Sequence, residues 1–132
     1  MADEMGTVRV TVEIENPARS GERRTLESVL VDTGAELSWF PAALLESLGI
    51  ERVNQRHFRQ ADATVLARWT GGVILWVVGI QTWDEAVFAE SGDLILLGAH
   101  SLEGLNLRID PVTKQPIEAG PAPAAAAATR AA

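Results

Sequence analysis

One acidic residue of the chain directly follows an apolar, strand-like run. Residues 29–31 are Val-Leu-Val, and Asp32, Thr33 and Gly34 come next. Because burying a charge costs free energy, an acid at the end of a core strand needs hydrogen-bond partners. Thr33 offers a hydroxyl, and Gly34 lets a backbone amide approach the carboxylate closely because it has no Cβ. The segment therefore predicts a rigid loop that holds a carboxylate at the floor of a cleft.

The same tripeptide has an ordinary structural interpretation. Asp-Thr-Gly is also typical of a turn after a strand, in which the aspartate accepts hydrogen bonds from its own loop. A three-residue motif is weak evidence for catalysis when it stands alone. The choice between the two interpretations depends on the rest of the chain.

Composition disfavours several other kinds of chemistry. The net charge of −7 and the lack of a basic stripe argue against nucleic acid and against an anionic membrane. The absence of cysteine excludes disulfides, thiolate catalysis and cysteine-ligated metals. With only His57 and His100, and no Gly-x-Ser-x-Gly or His-x-x-x-His, a serine or zinc hydrolase is disfavoured. We expect no metal and no cofactor.

The sequence also predicts where the protein resides. Residues 1–5 contain no basic segment followed by an apolar one, so no signal peptide is expected. The longest apolar stretch, residues 73–80, is far too short to span a bilayer. These features favour a cytoplasmic protein.

The first half of the chain predicts two hairpins and one helix. Residues 7–15 alternate apolar and polar side chains, which indicates a half-buried strand, and a turn at 16–21 joins it to a strand at 24–31. A helix is expected over 41–48, with Gly49 at its end. Strands at 53–60 and 64–70 flank a turn at 61–63, and the glycines at 71–72 should interrupt the strand.

The second half predicts further short strands. A buried strand is expected at 73–80, a turn at 81–84, and strands at 85–90 and 93–97. A short helix with Ser101 as its N-cap should cover 101–105, and a small hairpin 107–117. We predict an all-β domain over residues 1–118 with one or two short helices. The Ala/Pro-rich segment 119–132 has little to bury and is expected to be disordered.

Two motifs together resemble a known family. The Asp-Thr-Gly-Ala segment at 32–35 is followed about sixty residues later by the apolar run 94–97 and Gly98, and then by Leu-Glu-Gly-Leu and an Asp-Pro turn at 110–111. This combination resembles the retropepsin-like aspartic proteases, in particular their bacterial single-domain group, over roughly residues 6–117. The resemblance implies a small closed β-barrel.

The resemblance also implies a mechanism. The family needs two facing Asp-Thr-Gly loops, and this chain has one, so a homodimer related by a two-fold axis would supply the second. The two Asp32 carboxylates would share one proton and activate a water for hydrolysis of a peptide or protein substrate. Thr33 would brace the two loops across the axis, and Gly34 would lie against the substrate backbone. The catalytic set is thus Asp32, Thr33 and Gly34.

The hairpin 53–70 would be the flap that closes over a bound peptide. The implied substrate-binding residues are Ala35 and Glu36 beside the catalytic loop and Ala61, Asp62 and Ala63 at the flap tip. An ordinary surface hairpin is the alternative. Trp39 and Trp69 are candidates for lining substrate pockets or for core packing, whereas core packing is expected for Trp76.

The chain departs from the family pattern at two places. Retroviral members of the family usually have an acid soon after the Asp-Thr-Gly-Ala and an arginine just after the later glycine, and the two form an ion pair that supports the dimer. Here Glu36 is present, but Ala99-His100 follows Gly98 and the arginine is missing. Relatives tend to have glycine at the flap tip, whereas residues 61–63 of this chain contain none. A second function therefore stays open: a non-catalytic or weakly active dimerisation or peptide-binding module with the same fold.

Overall fold

The computed structural model describes residues 7–124. Strands dominate this part of the chain, so the all-β prediction is confirmed, and two short helices accompany them. The elements in chain order are β1 (Arg9–Glu15), β2 (Arg23–Val31), β3 (Ser38–Pro41), α1 (Ala42–Ser47), β4 (Asn54–Arg59), β5 (Val65–Val77), β6 (Ile80–Ala89), β7 (Leu96–Leu97), α2 (Ala99–Leu105), β8 (Leu107–Ile109) and β9 (Pro116–Glu118).

The alternating pattern at the start of the chain forms the first hairpin. β1 pairs antiparallel with β2 and buries Val10, Val12 and Ile14 on one face. The connection is held by the buried Glu15 carboxylate, which accepts hydrogen bonds from the Gly21 amide at 2.7 Å and from Trp76 Nε1 at 2.8 Å. A buried acid is tolerated here because its oxygens have donors.

Seven strands form one sheet whose pairings return to the first strand. The order is β1-β2-β7-β3-β6-β5-β4, and β1 also pairs with β5. Two pairs are parallel, β2 with β7 and β3 with β6, and the small antiparallel pair β8–β9 stands apart. β4 pairs only with β5, so the β4–β5 hairpin extends from the rest of the sheet.

One apolar core lies inside this arrangement. Both helices contribute to it, α1 through Leu45 and α2 through Leu102 and Leu105. The largest fully buried side chains come from helices, strands and the α1 connection alike: Phe40, Phe88, Ile14, Leu45, Leu48, Leu75, Leu97 and Leu105. Burial on this scale, at about 25 cal/mol per Å² of apolar surface, is the main term that favours the folded chain.

The expected interruption at residues 71–72 is wrong, because β5 runs through both glycines. Gly71 is needed for close packing: a Cβ there would collide with the backbone oxygen of Glu51. The turn expected at 81–84 lies instead at Val78 and Gly79, both at positive φ, as in the two-residue turns that favour hairpins. β6 therefore begins at Ile80, and residues 81–84 belong to it.

The short elements differ from prediction more than the long ones. β3 was not expected, and the strand predicted at 93–97 is reduced to Leu96–Leu97. α2 begins at Ala99 after Gly98, so Ser101 lies inside the helix rather than at its N-cap. The hairpin predicted at 107–117 is confirmed as β8 and β9.

The chain after β9 is partly anchored. The Ala119 amide donates to Asn106 O at 2.9 Å, and Asn106 Nδ2 donates to Gly120 O at 2.9 Å. The predicted disorder of 119–132 thus does not hold for residues 119–120, and positions 125–132 lie outside the described residues, as do positions 1–6. Across residues 7–124, neither helix has the length and apolar character that crossing a membrane would require.

Candidate active site

The Asp32 loop begins where two parallel strands end side by side. β2 and β7 pair with Leu30 opposite Leu96 and Val31 opposite Leu97. The Asp32 amide extends this pairing by donating to Leu97 O at 2.9 Å. The backbone of Asp32 is therefore fixed by the sheet, which explains why an acid can follow a core strand without disrupting it.

The Asp32 carboxylate is held by its own loop. Its Oδ1 accepts a hydrogen bond from the Gly34 amide at 2.9 Å, and a Cβ at Gly34 would lie 3.2 Å from that oxygen. The Ala35 amide donates to Asp32 O at 3.2 Å. Asp32 is half-buried, whereas the Thr33 side chain is exposed and has no hydrogen-bond partner within residues 7–124.

The far side of the loop rests on the junction between β7 and α2. The Ala99 amide donates to Ala35 O at 2.8 Å, and the His100 amide donates to Glu36 O at 2.9 Å. Gly98 permits this approach, because a Cβ there would lie 2.5 Å from Leu37 O. The two sequence motifs, Asp-Thr-Gly-Ala and Leu-Leu-Gly, are thus in direct contact.

A cleft of about 770 Å³ opens above the carboxylate. Its floor is the Asp32 loop, one wall is the β4–β5 hairpin, and the other is the segment before β7. The lining residues are Asp32, Gly34, Ala35, Glu36, Leu37, Trp39, His57, Phe58, Arg59, Gln60, Ala61, Leu66, Gly92, Asp93, Leu94 and Leu96.

The structure brings most of the predicted site residues together. Of the expected substrate-binding set, Ala35, Glu36 and Ala61 line the cleft with Asp32 and Gly34. Asp62 and Ala63 are exposed at the hairpin tip and do not line it. Trp39 lines the cleft, whereas Trp69 does not.

The tip of the β4–β5 hairpin is closed by side chains. The Ala63 amide donates to Gln60 O at 2.9 Å, and Ala63 itself has a φ of 72°. Asp62 Oδ1 accepts from the Thr64 hydroxyl at 2.6 Å and from the Thr64 amide at 3.0 Å, and these bonds lower the pKa of Asp62. The tip thus uses Asp62 and Thr64 to hold a turn in which glycine usually occupies the left-handed position.

Two charged contacts and one aromatic contact attach the hairpin to the body of the protein. Arg68 on β5 forms a two-point ion pair with Asp93, at 2.7 and 2.9 Å, with 13% and 10% of the side chains exposed. Arg56 on β4 pairs with Glu85 on β6. The ring centroids of Trp39 and Phe58 are 5.0 Å apart, within the range of favourable aromatic pairs.

Asp93 is the other aspartate that lines the cleft, and its oxygens are already occupied. Both accept hydrogen bonds from Arg68, and Oδ2 also accepts from the Glu90 amide at 2.8 Å. The bonds to Arg68 hold the pKa of Asp93 below its usual range. Among the cleft aspartates described, Asp32 is therefore the one without a basic partner.

A buried hydrogen-bond network under the loop was not anticipated from the sequence. The Asp84 side chain on β6 is 1% exposed and accepts bonds from Ser101 Oγ at 2.5 Å, the Glu85 amide at 2.7 Å and His100 Nδ1 at 2.8 Å. Ser38 lies between Ser101 and the Gly98 amide. The sequence pattern places Asp84 in a turn, where an exposed side chain is expected. Its buried position follows only once β6 is known to begin at Ile80.

His100 is the basic residue that follows Gly98 most closely in this chain, where the family pattern has an arginine. Its ring pairs with Asp84 rather than with Glu36, and the hydrogen bond to Asp84 raises the pKa of His100. Within residues 7–124, no group of three or more His, Asp or Glu side chains is arranged to hold a metal ion.

Comparison of the sequence with protein-family models and with curated proteins gives no match.

Proposed function

We propose that the protein is an aspartic endopeptidase of the retropepsin-like type, which hydrolyses peptide bonds with a water held between the Asp32 carboxylates of two identical chains. The observation that carries this proposal is the position of Asp32. It lies at the end of a sheet strand, on the floor of a cleft, beneath a hairpin long enough to cover a bound peptide.

The strand pairings support the expected fold. The path β1-β2-β7-β3-β6-β5 returns to β1, which is the connectivity of a small closed barrel. The β4–β5 hairpin projects from that ring, as a flap would.

The charges in the cleft support a dimer. An aspartic protease needs two carboxylates close enough to share one proton. Asp93 is neutralised by Arg68, so Asp32 is the one aspartate of the described cleft lining that remains for this purpose. A two-fold axis near Asp32 would bring a second Asp32 to the site, and the exposed Thr33 hydroxyl is available to donate across that axis.

The proposed chemistry requires no other group. The ionised Asp32 would accept a proton from the water as it attacks the peptide carbonyl, and the protonated Asp32 of the second chain would donate to the carbonyl oxygen. The Gly34 amide fixes the orientation of one carboxylate oxygen throughout. Closure of the hairpin would exclude bulk water from the attacking nucleophile.

The lining suggests the class of substrate. Trp39, Phe58, Leu66 and Leu96 give the cleft apolar walls, and strand β4 offers an edge for an extended chain. We therefore expect extended peptides with large apolar side chains on either side of the bond that is cut.

The test compares wild type with Asp32→Asn on a diverse peptide library at mildly acidic pH, with products read by mass spectrometry. Asp110→Asn is the matched control, because Asp110 lies in a turn away from the cleft. We expect cleavage by wild type and by Asp110→Asn, and none by Asp32→Asn. Full-rate cleavage by Asp32→Asn would show that Asp32 is not the catalyst.

The tip of the β4–β5 hairpin favours the alternative function, a binding module. Ala63 at positive φ and the hydrogen bonds between Asp62 and Thr64 restrict the motion of this turn. Peptide binding without cleavage by the wild-type dimer would support that function instead. Fluorescence of Trp39, which lines the cleft, is a suitable readout for binding.

A further inference from the structure

The network beneath the Asp32 loop forms a chain of hydrogen bonds with a fixed direction. The Gly98 amide donates to Ser38 Oγ at 2.9 Å, Ser38 and Ser101 are joined at 2.5 Å, and Ser101 donates to Asp84 Oδ2 at 2.5 Å. An amide can only donate and an ionised carboxylate can only accept. Each serine must therefore accept from the Gly98 side and donate toward Asp84.

The Gly98 end of this chain is attached to the active loop. Gly98 packs against the backbone of Leu37, and the amides that follow it hold Ala35 O and Glu36 O. The residue before it, Leu97, accepts the bond from the Asp32 amide. A shift of residues 97–100 would consequently move both sides of the loop that carries Asp32.

The Asp84 end is held by His100. The imidazole donates from Nδ1 to Asp84 Oδ1 at 2.8 Å and remains 58% exposed, so it can exchange protons with solvent. Other acids face the ring from each neighbouring element: Glu85 on β6, Glu103 on α2 and Glu36 in the loop. Arg56 on β4 is paired with Glu85, which leaves Asp84 as the main partner of the ring.

We propose that Asp84 is a positioning residue for the Asp32 loop, acting through Ser101 and Ser38, and that protonation of His100 determines how firmly Asp84 is held. The activity part of this inference rests on the proposed function, whereas the structural part does not. Protonated His100 adds the attraction of unlike charges to its hydrogen bond with the Asp84 carboxylate. Loss of that proton weakens the bond that holds the Asp84 end of the hydrogen-bond chain.

The sign of the pH effect follows from the raised pKa of His100. A histidine whose pKa is raised on folding contributes stability that is complete below its unfolded pKa, about 6.5, and is lost as pH rises through the folded value. The loop should thus be best ordered at acidic pH, where the proposed carboxylate pair also works. A second decline in rate is expected above pH ~6.5, separate from the ionisation of that pair.

Asp84→Asn tests the hydrogen-bond chain, because it replaces one accepting carboxylate oxygen with a donating amide group. The new amide group must face either Ser101, which already donates toward it, or the Glu85 and His100 donors. In the first orientation the Ser101 and Ser38 hydroxyls must reverse, which takes away the acceptor of the buried Ser38 hydrogen; in the second, the bonds from Glu85 and His100 are both lost. The side chain keeps its size in both cases. Glu103→Gln is the matched control, because it removes an exposed charge near His100 without touching the chain.

Two readouts separate this inference from the proposed function. The first is amide hydrogen exchange at Gly98, Ala99 and His100, together with the NMR titration of the His100 ring, which need no catalysis. We expect Asp84→Asn to speed exchange at these amides about tenfold or more and to lower the pKa of His100, with exchange unchanged in Glu103→Gln. Unchanged exchange in Asp84→Asn would overturn the inference even if the protein is a protease.

The second readout is the rate of peptide cleavage against pH. Asp84→Asn should lower kcat by about tenfold to a hundredfold, as expected for a slightly displaced catalytic group. His100→Gln, which is neutral at every pH, should hold the rate near the level that wild type reaches after the second decline, with no step above pH ~6.5. A His100→Gln profile identical to wild type would overturn the pH-dependent part. Absence of cleavage in wild type would defeat the proposed function while leaving the exchange test intact.

Discussion

At the scale of single residues, Gly98 has the most restricted environment near the site. Its Cα faces the backbone of residues 35–37, with Leu37 O only 2.5 Å from where a Cβ would stand. A backbone atom cannot move aside as the end of a flexible side chain can. Any larger residue must therefore displace the loop that carries Asp32.

Gly98→Ala is expected to destabilise the protein by about 1–3 kcal/mol, the usual cost of overpacking, and to reduce cleavage strongly. The free energy of unfolding by denaturant at fixed protein concentration gives the first effect. Gly72→Ala is the control: no atom lies within 4 Å of a Cβ at that position, and its stability should be nearly unchanged or slightly higher. Equal effects of the two substitutions would contradict the packing argument.

The catalytic candidate could be predicted at this scale, but its support could not. Asp32 has a local signature, since an apolar run precedes it and Thr-Gly follows. Asp84 and Ser38 have none, because their roles depend on partners 17 and 63 residues away in the chain. Hydrogen bonds between distant segments leave no periodic pattern in a sequence.

At the scale of elements, the hairpin of β4 and β5 has a turn with an unfavourable residue. Ala63 has a φ of 72°, in a region that L-residues with a Cβ avoid at a cost of about 1–2 kcal/mol. Ala63→Gly should therefore raise the free energy of unfolding by up to about 1 kcal/mol. Ala61→Gly in the same turn has no positive φ to relieve and should lower it by roughly 0.5–1 kcal/mol. Equal changes from both variants would show that φ is not the cause.

The ion pair between Arg68 and Asp93 joins this hairpin to the segment before β7. This ion pair is bidentate and largely shielded from solvent, so Arg68→Met should cost about 2 kcal/mol of stability at neutral pH. Glu46→Gln, which removes the exposed pair with Arg52, should cost well under 1 kcal/mol. Chemical denaturation of both variants beside wild type measures these differences.

The contribution of this pair also has a predictable pH dependence. The pKa of Asp93 is lowered on folding, so the stabilisation is present above the ordinary carboxyl value, about 3.9, and is lost as pH falls through the folded value. The stability difference between wild type and Arg68→Met should therefore shrink below pH ~4. A difference that stays constant down to pH 2 would mean that the ion pair contributes little.

Elements were predictable in proportion to their length and regularity. The alternation of apolar and polar residues in β1 and the strand–turn–strand pattern of the β4–β5 hairpin are local features, and both elements were predicted. β3 and β7 have four and two residues, too few to show a period, and they exist because neighbouring strands supply their partners. The glycines at 71–72 misled because close packing, rather than a turn, requires Gly71, whereas Gly72 lies in β5 with open space around it.

At the scale of the whole molecule, the proposed active site needs two chains. Cleavage per chain should fall as the protein is diluted below its dimerisation constant. Mixing wild type with an equal amount of Asp32→Asn, after subunit exchange, should halve the activity per wild-type chain to about 50%, because half of its partners are then inactive. An equal mass of an inert protein serves as the control. Activity per wild-type chain that ignores the mutant would indicate a monomeric enzyme.

Strand β4 leaves one of its edges unpaired, and its side chains determine what can join it. It carries Arg56, His57 and Arg59 and no acidic residue, in a chain whose net charge is −7. Two copies of β4 laid edge to edge would bring the Arg59 side chains of both copies close together, while the charge of Arg56 is offset by Glu85, and this repulsion opposes stacking of the protein into aggregates. Salt screens that repulsion. We therefore expect concentrated solutions to stay clear at low ionic strength and to become prone to self-association as salt is added.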